Sequence, residues 1–81
     1  MRGPVDPVTA RKGTFIASFG LYEFTQMEGY AVHLEIAAEQ NGICGEFVYT
    51  RIPKWGKKTQ NDTWQIFLMP EGWDSDGEAV S

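Results

Sequence analysis

The sequence predicts a mainly β protein, a small antiparallel sheet of four or five strands curled into an open barrel or roll. Three stretches carry that expectation. The Asn41-Gly42 pair suits a two-residue hairpin turn, whose central positions both need positive φ. Thr14 to Phe24 is dense in β-formers, and Thr63 to Met69 reads as a strand with Trp64, Ile66 and Leu68 on one side and Thr63, Gln65, Phe67 and Met69 on the other.

In chain order, residues 1–13, with Gly3, Pro4, Pro7 and Gly13, read as a flexible arm that stays extended unless a partner or a sheet edge holds it. The folded domain is expected over residues 14–70. Phe15, Ala17, Phe19 and Leu21 share one parity, Tyr22 and Phe24 take the other, and Gly20 stands where the parity changes, so a bulge is expected there. Tyr30 to Ile52 then reads as one hairpin. Closing its turn sets Ala38 opposite Gly45, Ile36 opposite Phe47, Leu34 opposite Tyr49 and Val32 opposite Arg51 on one face. Glu39/Cys44, Ala37/Glu46, Glu35/Val48 and His33/Thr50 fall on the other. A slip of one residue would scramble that sorting. Pro53 ends the strand because it cannot donate to a ladder, and residues 53–62 form a polar loop. The last strand, Thr63 to Met69, points Trp64, Ile66 and Leu68 one way and Gln65, Phe67 and Met69 the other. Residues 71–81 read as an acidic, disordered tail, apart from Trp73 if it packs back.

One competing reading changes the fold class. Thr25-Gln26-Met27-Glu28 fits a capping box, Leu34 to Gln40 holds good helix formers, and Asn41-Gly42 can close a helix as well as a hairpin. A helix over 26–40 would give an α+β fold in β-α-β-β order. Gly29 and the alternation of Tyr30, Val32, Leu34, Ile36 and Ala38 favour the hairpin.

Composition bounds what such a domain can do. A chain of 81 residues builds one small core, and its five Phe, three Trp and three Tyr must supply much of the buried area. A deep enzyme cleft is hard to fit. Cys44 is the only cysteine and His33 the only histidine, which excludes an intrachain disulfide and a Cys/His zinc site. Neither a signal peptide nor a membrane span is evident, so a soluble cytoplasmic protein is expected. The net charge of −4 resides in the tail, where Glu71, Asp74, Asp76 and Glu78 follow Pro70 without a base, while seven acids and seven bases balance before it.

Catalytic chemistry finds little footing. The hairpin register separates His33 from Cys44 along the sheet, beyond the contact that thiol activation needs. Glu35 and Glu46 on a half-exposed sheet read as solubilising side chains. The Gly42-Ile43-Cys44-Gly45 stretch lacks the helix and lysine of a phosphate loop. No catalytic residue, metal ligand or cofactor is assigned.

Two binding readings remain. In the first, a non-enzymatic adaptor or inhibitor occludes a larger protein through exposed aromatic and apolar residues: Trp55, Phe67, Met69, Val48 and Trp73. If the second sheet face, which also carries Ile52, stays open, it forms a patch that needs a partner or a second copy of the chain. In the second, Arg51, Lys54, Lys57 and Lys58 interleaved with Tyr49 and Trp55 hold single-stranded DNA or RNA, cations on phosphates and rings on bases. This layout, a β domain followed by an acidic C-terminus, resembles that of single-strand-binding proteins. Glu71 to Ser81 lack the apolar tip such tails carry.

Overall fold

The computed structural model of the chain describes residues 1–53 and 62–73. It is an α+β fold: a short helix α1 (Pro7–Ala10), strand β1 (Thr14–Gly20), a 3-10 turn (Leu21–Glu23), a long helix α2 (Phe24–Gln40), and strands β2 (Glu46–Ile52) and β3 (Thr63–Met69). From β1 onward the order is β-α-β-β. The expected first arm of the hairpin is therefore helix, and the sheet has three strands among the described residues instead of four or five.

The turn residues are set as the close of a helix and not of a hairpin. A type I′ turn needs positive φ at both Asn41 and Gly42, whereas Asn41 sits at −102° and only Gly42, at +66°, is left-handed. The Gly42 N–H donates to the Glu39 carbonyl and the Ile43 N–H to that of Ala38, the paired bonds of a Schellman motif. Upstream, Phe24, Met27, Ala31, Leu34 and Ala38 recur at spacings of three and four, and this stripe packs on the sheet. Met27 and Ala31 are fully buried there. Tyr30, Val32 and Ile36, three of the alternating set that favoured a strand, are turned outward. The helix also begins before the expected capping box, at Phe24, led in by the 3-10 turn, where the Gly20 N–H donates to Glu23 Oε1 at 2.6 Å.

The strand order is β1-β3-β2, with β3 antiparallel to both neighbours, so β1 and β2 run in the same direction on either side of it. In β3, Trp64, Ile66 and Leu68 face α2 while Phe67 and Met69 face away, the alternation expected of it. The bulge lies between Phe15 and Ala17, where Ile16 is the extra residue, and not at Gly20. It changes parity within β1: Phe15 meets Phe67 edge to face at 5.7 Å on one side of the sheet, while Ile16 and Phe19 join the core under α2.

Each face of the sheet has its own core. Under α2 lie Phe47 and Ile66 together with a triangle of rings, Phe24, Tyr49 and Trp64, whose centroids are 5.0 to 5.7 Å apart. The Trp64 indole N–H donates to the Leu21 carbonyl at 2.9 Å, which satisfies its polar edge within the core. On the other face Val48, Phe67 and Met69 pack with Ala10, and Val5 and Trp73 close over them. The arm is held by a sheet edge: the Arg2 N–H donates to the Phe47 carbonyl and the Tyr49 N–H to the Arg2 carbonyl, a short parallel bridge beside β2, and the Val5 N–H donates to the Tyr49 carbonyl. Asp6 then caps α1, accepting from the Val8 N–H at 2.8 Å with Pro7 in the first turn.

Candidate interaction surface

Most residues expected to bind a protein are structural. Val48, Phe67 and Met69 are buried, covered by the arm and α1, so they are not an open patch. Trp73 is half-buried on the same core; its indole N–H donates to Glu46 Oε1 at 2.8 Å, and the Arg2 guanidinium lies over its ring at 4.9 Å. Ile52, added to that face, is likewise half-buried. Trp55 lies outside the described residues, as do Lys54, Lys57 and Lys58 of the nucleic-acid set. Of that set, Tyr49 belongs to the ring triangle, and Arg51 bonds Asp62 at 2.9 Å with its guanidinium over the Trp64 ring at 5.8 Å. Both are engaged with their own fold.

The acids singled out in the sequence also hold the arm. Glu35 faces the N-terminal amine at 3.4 Å, and Glu46 takes Arg2 at 3.4 Å. His33 faces solvent on α2 and Cys44 faces solvent in the loop that follows it. Among the described residues no three His, Cys, Asp or Glu side chains gather as a metal site, and no helix is long and apolar enough to cross a membrane.

Besides the scattered Val8, Phe15, Tyr22 and Ile43, the described residues leave the outer side of α2 exposed. Tyr30, Val32 and Ile36 are 42%, 54% and 48% exposed. By helical spacing, Thr25, Gly29, Val32, His33, Ile36 and Gln40 share this side, and none is Asp, Glu, Lys or Arg. The acids of α2 keep to one flank: Glu28 and Glu35 line a hollow of about 200 Å³ beside Tyr49, and Glu35 and Glu39 line its neighbour beside Phe47. On the opposite flank Tyr30 packs on Phe19 of β1, ring centroids 5.6 Å apart. A surface helix ordinarily turns its charged side to water; α2 turns an uncharged one that carries Val32 and Ile36.

The hairpin assignment hid this surface, because a strand would have placed Val32 and Ile36 in the core. The spacing Phe24, Met27, Ala31, Leu34, Ala38 was the signal that could have revealed it. Comparison with models of protein families, with curated proteins and with solved structures gives no match to this chain.

Proposed function

We propose that this is a non-enzymatic, cytoplasmic protein-binding module, an adaptor or inhibitor that engages a larger protein through the outer side of α2. The observation that supports the reading is the charge-free run of Val32 and Ile36 on a solvent-facing helix, flanked by carboxylates on one side only. Apolar residues at positions i and i+4 on one helix are the usual anchors of a helix laid into a partner's groove. Burying both on the partner is worth about 3 kcal/mol in area terms. Single-stranded nucleic acid has less support, since Tyr49 packs inside the fold and Arg51 is engaged by Asp62 and Trp64.

A photo-crosslinking residue introduced at Val32 in the source cells tests the reading. One discrete adduct is expected, absent when the probe is at Glu71, with the adduct's partner no longer retained by the Ile36→Glu chain. No adduct at Val32, or retention unchanged by Ile36→Glu, would overturn the proposed surface.

A further inference from the structure

The two edges of the sheet are finished differently. The outer edge of β2 is taken by the arm at Arg2 to Val5, whereas among the described residues nothing pairs with the outer edge of β1. Open edges are commonly guarded by charge or proline. β1, Thr-Phe-Ile-Ala-Ser-Phe-Gly, has neither, and its bulge at Ile16, a third kind of guard, leaves Ala17 to Gly20 in regular register. Charges stand at its two ends instead and are opposite in sign: Arg11 and Lys12 precede the strand, Glu23 follows it, and all three are exposed.

From this we infer that β1 is the binding site for a second copy of the chain, paired antiparallel, so that two three-stranded sheets become one of six. Antiparallel pairing centred near Ala17 and Ser18 sets Arg11 and Lys12 of one copy beside Glu23 of the other at both ends of the junction. Parallel pairing would set like charges together, so the charge pattern favours the antiparallel direction and is complementary to a second copy of the same strand. A two-fold axis perpendicular to the sheet keeps both α2 helices on one face. It also brings together the flanks of α2 that carry Tyr30 over Phe19, adding apolar contact above the ladder. Residues Ala17 to Gly20 hold unbroken register with β3 beyond the bulge. That is a short junction, so a dissociation constant on the order of micromolar is expected. Val32 and Ile36 remain outside it, so this inference stands apart from the proposed function.

Sedimentation of the full chain from low micromolar to millimolar concentration is the test. The mass is expected to rise from 9.1 kDa toward twice that value, and the outward amides of β1 to exchange more slowly as concentration rises. Ser18→Lys places two ammonium groups near the axis and should raise the dissociation constant about fivefold or more, with an unchanged circular dichroism spectrum. Lys12→Glu should weaken the dimer by a similar factor. The exchange measurement needs no variant and keeps the test decisive if a substitution impairs folding. A mass of 9.1 kDa throughout would overturn the inference. So would a dimer whose β1 amides exchange at a rate independent of concentration, since another surface would then hold it. Protected outward amides in a monomer would mean that another segment of the same chain lies on the edge, and the inference would fail.

Discussion

The two faces of the sheet are covered by different kinds of structure. One lies under α2, a helix that satisfies its backbone hydrogen bonds internally and contributes Met27 and Ala31 to the core. The other lies under the chain's beginning and Trp73: a four-residue helix, an arm bonded to the edge of β2, and a tryptophan held by Arg2 and Glu46. Both cores have a fully buried centre, Ile66 beneath α2 and Val48 beneath the arm. What differs is how each cover is attached. α2 can leave only by exposing the larger core, whereas the arm can detach locally by breaking a few bonds to one edge. Equal burial therefore does not imply equal persistence.

The largest effect that would test this contrast is Ile66→Ala. The site is fully buried at the centre of β3 beneath α2, and truncation should cost about 2–5 kcal/mol, read as a lower urea midpoint for the whole molecule. A shift below about 1 kcal/mol would mean that α2 rests loosely on the sheet.

Trp73→Ala should be smaller and local. It removes the indole bond to Glu46 and the stack with Arg2, together worth about 1–2 kcal/mol. Amide exchange should quicken at Val5 and at Tyr49, which bond the arm to β2, while the α2 amides stay as they were. Equal acceleration on α2 would show that the two faces open as one unit.

The smallest effects concern two glycines of opposite expected sign. A Cβ at Gly29 would meet nothing within 4 Å, so Gly29→Ala inside α2 should stabilise by about 0.5–1 kcal/mol. Gly42 also has open space but sits at a φ of +66°, so Gly42→Ala should destabilise by about 1–2 kcal/mol. Thermal unfolding of the pair reads both signs. Destabilisation by Gly29→Ala would count against a helix at that position.

Much of the sheet was legible in the sequence. The bounds of β3, its inward set of Trp64, Ile66 and Leu68, and the stop of β2 before Pro53 follow from alternation and from proline's missing donor. The return of Trp73 and the docking of the arm on a sheet edge were also foreseen as conditions. The long helix was missed because its residues satisfy two periods at once. Leu34 and Ala38 belong both to the alternating set and to the three-four stripe; Tyr30, Val32 and Ile36 count for a strand, while Phe24, Met27 and Ala31 count for a helix. Asn41-Gly42 does not break the tie, since the same pair closes either element. What decides between them is non-local: Phe47, Ile66 and Trp64 need a cover, and only the helical arrangement supplies one. Three of the residues expected to bind a protein lie buried for a related reason. Val48, Phe67 and Met69 were assigned to the correct face of the sheet, but pattern alone does not show that residues 5–10 lie over it.

The middle strand of the sheet is the last to be reached along the chain. β1 and β2 never touch as a pair; each finds its strand partner only in β3, and β2 adds the short bridge to the arm. During synthesis, then, neither early strand has a template, and the ladder cannot start until residues 63–69 have left the ribosome. A nascent chain halted before Thr63 would offer α2 without the middle of the floor beneath it, so the sheet assembles only once β3 has emerged.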